Sequence, residues 1–183
     1  MKLLLALYYT ALCLLITSCA PRQTEDQKFE GLSKNYIEKL LQTKPEWATG
    51  LGDHRYDARL SDYTLAGVEA DRAFNRSYLD SLSTLDMSQL NPTNKIDFKI
   101  MKTNLESWLF QIDTLKEYEW NPLAYSVGGA IYGLLAREFA PLKDRLQSVK
   151  ERLKGIPPIL AAAKANLKNP PKIHTETAIR QNP

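Results

Sequence analysis

The sequence predicts an all-α protein, a bundle-like array of helices, and three observations carry that reading. Apolar residues recur at spacings of three and four in several separate stretches. No stretch sustains the two-residue alternation, rich in β-branched residues, that marks a strand. Prolines open runs of helical spacing, as in Asn91-Pro92 and Ala140-Pro141, where a missing N–H would be unpaired in any case. Composition agrees: 44% hydrophobic and 25% charged residues over 183 positions, with three tryptophans and nine tyrosines, is a globular balance. A formal charge of +3, with no run of lysines or arginines, leaves no footprint for nucleic acid.

The first 18 residues read as a secretory signal rather than as fold. Lys2 is a short positive region, Leu3 to Ile16 is an apolar core, and Thr17-Ser18 are small. That core, about 14 residues, is shorter than the ~20 needed to span a bilayer. Ile16-Thr17-Ser18-Cys19 resembles a bacterial lipobox, which implies cleavage before Cys19 and lipidation of that residue. Several acyl chains on one residue make a durable membrane anchor. Cys13 would leave with the signal and Cys19 would be consumed by lipid, so no thiol remains for a disulfide, a nucleophile or a zinc site. The expected organisation is signal 1–18, polar tether 19–28 and a helical domain 29–183.

Within that domain, Phe29, Leu32, Tyr36, Ile37, Leu40 and Leu41 mark an amphipathic helix. Pro45 ends it and opens a short turn of helix through Thr49. Gly50 to Asp62 is a polar interruption. Its two glycines fit neither G-x-G-x-x-G nor a Walker pattern, which excludes a nucleotide site there. Leu65 to Leu85 is the next helix, with Thr64 as cap and Val68, Phe74, Tyr78, Leu79 and Leu82 on its inner face. Asn91-Pro92 opens a helix to about Lys116, with Ile96, Ile100, Leu105, Trp108, Leu109 and Ile112 assigned to the buried side. Ser126 to Phe139, with three glycines, makes a close-packed helix or turn.

From Pro141 the pattern reads helix, break, helix, break, helix. Leu142, Leu146, Val149 and Leu153 form the first apolar stripe. Gly155 suits a left-handed C-terminus and Pro157-Pro158 forbid continuation. A second helix spans Ile159 to Leu167, and a third begins near Thr175. The sequence stops at Pro183 just as that helix starts, which predicts the amino-terminal part of a longer protein.

Candidate chemistry is sparse. His54 and His174 are the two histidines, about 120 residues apart, and no H-E-x-x-H or H-x-x-E-H is present, so no metal ligands are assigned in this chain. His54 and Arg55 lie in a loop with Asp53 and Asp57; His174 and Glu176 stand where the last helix begins. These four are the candidate cleft residues, although a hydrogen-bond and ion-pair network within the loop, and capping of the last helix, account for them better. G-x-S-x-G is absent. Trp47, Trp108 and Trp120 read as core anchors. No catalytic residue is assigned.

Several segments nevertheless share one pattern. Trp47-Ala48-Thr49-Gly50-Leu51-Gly52-Asp53-His54-Arg55-Tyr56-Asp57, Trp120-Asn121-Pro122-Leu123, Phe139-Ala140-Pro141-Leu142 with Arg145, and Leu167-Lys168-Asn169-Pro170-Pro171 with His174-Thr175-Glu176-Thr177-Ala178-Ile179 resemble, in order, the bacterial family called domain of unknown function 885. The resemblance implies a longer, mostly helical, lipid-anchored or secreted protein similar to zinc metallopeptidases of the thermolysin-like clan. Its metal segment, of the form His-Glu-x-x-Pro-Gly-His, is not in this sequence. Zinc and a peptide-like substrate are therefore implied for the full-length protein, and this part alone is expected to be inactive. Location follows from the anchor: the bacterial cell envelope, at the outer membrane in a Gram-negative source. The competing reading is a self-sufficient, non-catalytic lipoprotein that binds or scaffolds.

Overall fold

The computed structural model describes residues 23–181, so the signal segment and Cys19 lie outside the described residues. Seven α-helices joined by short 3-10 turns make up the fold, with no strand among the described residues. None of these helices is long and apolar enough to cross a membrane.

Helix α1 spans Glu25–Thr43. It starts inside the stretch read as tether because Thr24 and Gln27 form a reciprocal capping box, which satisfies two N–H groups at the first turn. A short α2, Pro45–Leu51, follows at once. Helix α3 covers Leu65–Ser83, and the Thr64 hydroxyl accepts from the Gly67 N–H as the sequence predicts. Helix α4, Pro92–Phe110, is capped by Asn91 and runs into a π turn, Gln111–Leu115, closed by Lys116 at φ 49°.

Helices α1, α3 and α4 enclose the main core. Phe29 and Tyr36 of α1 meet Tyr78 and Leu82 of α3 and Phe98, Met101 and Leu105 of α4. Tyr36 stacks on Phe74 at 5.6 Å and meets Tyr78 edge-on at 5.2 Å, geometries that aromatic quadrupoles favour. Two residues assigned to the buried side of α4 do not lie there. Ile96 and Ile100 are exposed, and Phe98, Met101, Leu105, Leu109 and Ile112 are buried. At 3.6 residues per turn the two isoleucines lie on the opposite side of α4 from that set.

Helix α5, Gly128–Ala136, helix α6, Leu142–Asn166, and helix α7, Lys172–Gln181, complete the chain. A second core joins Tyr125, Ile159 and Ala163 to Leu60, Tyr63, Tyr118, Val127 and Leu167. Two further expectations fail in α6. First, Pro157 and Pro158 do not break it; one helix of 25 residues runs through them. Each proline deletes one helical hydrogen bond. The turns on both sides, however, face the same interior through Val149, Arg152, Ile159, Ala162 and Ala163, so tertiary packing outweighs local preference. Gly155 is helical rather than left-handed and admits Leu60: a Cβ there would lie 3.0 Å from Leu60 Cδ1.

Second, α6 is turned relative to its leucines. Leu142, Leu146 and Leu153 are about half exposed and Leu160 with them, whereas Arg145 and Arg152 are buried. Each arginine ends in a set of main-chain oxygens. Arg145 donates to the carbonyls of Leu134, Leu135 and Ala140 and so closes the C-terminal end of α5. Helix α7 begins three residues before Thr175, directly after Pro170-Pro171, and packs on the 3-10 turn Pro122–Tyr125.

Candidate functional site

The site is built from the sharp turn that ends α2. Gly52 takes φ 91°, a left-handed conformation natural to glycine, and its N–H returns to the carbonyls of Ala48 and Thr49. The chain then enters the 3-10 turn His54–Tyr56, capped by the Asp53 carboxylate on the Arg55 N–H. This places His54 and Asp57 on the inner side of the turn, three residues apart.

His54 Nδ1 lies 2.9 Å from Asp57 Oδ2, and the imidazole stacks on the Phe139 ring at 3.6 Å. Asp57 Oδ1 accepts from the Thr49 hydroxyl at 2.6 Å, and that hydroxyl accepts from Arg152 Nη2 at 2.6 Å. Arg152 also donates to the carbonyls of Ala130, Arg59 and Pro45. Arg152, Thr49 and Asp57 are all buried. Burial pulls the guanidinium below its ordinary pKa while Glu46 and Asp57 oppose that shift. The chain His54–Asp57–Thr49–Arg152 thus ties α2, the 54–57 turn and α6 into one hydrogen-bonded unit. Asp57 thereby fixes the orientation of the His54 ring through Nδ1.

Arg55 faces elsewhere. It grips Glu38 through both terminal nitrogens at 2.7 and 2.9 Å and Asp53 at 2.6 Å. The guanidinium holds both carboxyls below their ordinary pKa, and they raise its own. His174 packs beside Trp120 at 5.5 Å, its Nδ1 buried with no hydrogen-bond partner among the described residues, and Glu176 pairs with Lys172 at 3.7 Å on the surface. The structure therefore brings His54 into a network, leaves Arg55 in a surface ion pair, and gives His174 and Glu176 a different set of neighbours. Thr49 and Arg152, which complete the network, were not singled out in the sequence. Arg152 lies 95 positions beyond Asp57 in a helix whose leucines looked like the inner face.

A cavity of about 350 Å³ opens between α2, α3 and the end of α4. Trp47, Tyr63, Trp108, Tyr118 and Tyr125 form much of its wall. Trp47 and Trp108 sit 5.4 Å apart, centroid to centroid, across the two helices. Glu46, Asp62, Asp71 and Glu117 stand around it, with Lys44 as the one cation among the described residues that line it. Trp47, read as a core anchor, is 46% exposed. Among the described residues no three His, Cys, Asp or Glu side chains are grouped so as to hold a metal ion, so the zinc implied by resemblance has no fitting donor set here.

Compared with known families, residues 45–183 match the one described as "Bacterial protein of unknown function (DUF885)". The chain belongs to this family. The match includes the Thr49–Asp57–Arg152 network, the Trp120 and His174 pair and helices α2 to α7. Among solved structures, the chain is similar to a proposed lipoprotein of unknown function from Shewanella oneidensis, with a TM-score of 0.80 and 34% identity over 84% of this chain. The chain spans 28% of that protein's length. A search of curated proteins found no match.

Proposed function

We propose that this chain is the amino-terminal helical part of a longer, lipid-anchored envelope protein, and that it walls one side of a cleft whose chemistry is supplied by other residues. The observation that carries this is the apolar stripe of α6. Leu142, Leu146, Leu153 and Leu160 fall within about 40° of one another around the helix axis, and each is about half exposed. Ile173 and Ile179 of α7 are exposed as well. An apolar surface of this kind marks an interface. The related structure is more than three times longer than the matched region, so further helices of one polypeptide are the natural cover.

This stripe should make the chain on its own self-associate and bind an apolar dye. The double substitution Leu146→Glu, Leu153→Glu should give a monomer with an unchanged far-UV spectrum, because neither side chain is in the core. Sedimentation velocity decides the point, and a monodisperse, dye-silent wild type would overturn the reading.

The anchor rests on Ile16-Thr17-Ser18-Cys19 and on the likeness to a proposed lipoprotein. In a bacterium fed labelled palmitate, the chain should incorporate label and Cys19→Ala should not; label absent from both would refute it. The hydrolase reading rests on the family resemblance. It requires chelator-sensitive peptide cleavage by a longer relative, with this chain positioning substrate rather than metal. A second reading, a self-contained binding module, is favoured by the aromatic cavity, whose wall comes entirely from this chain.

A further inference from the structure

We propose that the aromatic cavity between α2, α3 and the end of α4 is a binding site for an organic cation, an ammonium or guanidinium group carried on an apolar body. At about 350 Å³ the cavity is of small-ligand size. Five aromatic side chains line the void, and aromatic π-faces attract a desolvated cation more strongly than a water-exposed one.

The polar groups around the void add to that preference. Four carboxylates face one lysine, and Lys44 is already paired with Asp71. Glu46 is held by the Ser61 N–H and hydroxyl, and Asp62 by the Thr64 N–H. Among the described residues the Glu117 carboxylate has no hydrogen-bond or ion-pair partner, and the Tyr63 hydroxyl no hydrogen bond. Both line the cavity, an anion and a hydroxyl that complement an N–H-bearing cation. Burial together with Glu46 and Asp71 pushes the Tyr63 phenol up to about 12, so it stays a neutral donor and acceptor in a region of negative potential. An anionic ligand would meet these carboxylates without a free cation to receive it.

Three probes with the same ring and different charge test the assignment: phenethylammonium, phenethyl alcohol and phenylpropionate. Titrations of the purified chain, read by tryptophan fluorescence and calorimetry, should rank them cation, alcohol, anion, with roughly a tenfold step from cation to alcohol. Added salt should narrow that step. Glu117→Gln should remove most of it while leaving the thermal midpoint unchanged, because this side chain makes no contact that holds the fold. Trp108→Leu should weaken all three probes together. Equal binding of the ammonium and the alcohol, binding of the anion in preference, or an unchanged step in Glu117→Gln would each overturn the proposal. So would the lack of any saturable response to phenethylammonium.

Discussion

Arg152→Met should cost about 3–5 kcal/mol of folding free energy, the loss expected when one partner of a buried charged network is removed. Arg152 is 1% exposed and makes four hydrogen bonds, three of them to main-chain carbonyls from separate parts of the chain. Methionine fills the volume but leaves the Pro45, Arg59 and Ala130 carbonyls without this donor. It also removes the positive charge that faces the buried Asp57 across the Thr49 hydroxyl. Lysine keeps that charge, but one ammonium cannot reproduce the planar fork, so Arg152→Lys should fall between the two. Urea unfolding followed by circular dichroism measures all three. Asp57→Asn combined with Arg152→Met should cost less than the two single changes added together, since each removes the other's reason for being paired. A change of under 1 kcal/mol for Arg152→Met would mean that the network does not hold α2 to α6.

The same residue shows why some of the fold was legible in the sequence and some was not. Caps are local chemistry, and Thr64 and Asn91 stand where their side chains serve the first free N–H groups, as read. Helical periodicity is local too, so the α3 and α4 segments were found within a few residues. Which side of a helix turns inward is settled by distant atoms. In α6 the leucine spacing pointed to one face, while Arg145 and Arg152 turn inward instead to carbonyls at the end of α5 and in the 45–59 stretch. The Pro157-Pro158 break failed for a related reason, because packing on both sides of the prolines fixes one continuous helix. At the site, Asp57 stands three residues from His54 and their proximity follows from the turn. Its link to Arg152 spans 95 positions and has no local signal. The aromatic cavity was hidden in the same way: Trp47 and Trp108 are 61 positions apart and meet only when α2 lies against α4.

Gly67→Ala should destabilise the chain by about 2–4 kcal/mol, the combined cost of overpacking and of a disturbed helix cap. In an open helical position the same change gains up to ~1 kcal/mol, so the sign itself is diagnostic. A Cβ at Gly67 would lie 2.3 Å from the Asp62 carbonyl oxygen and 2.9 Å from its carbon, main-chain atoms that no rotamer change can move. The 61–64 segment would have to withdraw. That segment holds the Thr64 cap on Gly67, the two bonds from Ser61 to Glu46 and the Tyr63 carbonyl that accepts from Asn166. It also carries Asp62 and Tyr63 of the cavity wall, so a withdrawn segment should weaken binding of phenethylammonium as well. Gly31 supplies the control. It lies in α1 with nothing within 4 Å of a built Cβ, and Gly31→Ala should stabilise. Urea midpoints moving in opposite directions for the two substitutions are the expected result. A stabilised Gly67→Ala would show that α3 and the 61–64 segment do not approach this closely, and the cavity wall they form would have to be redrawn.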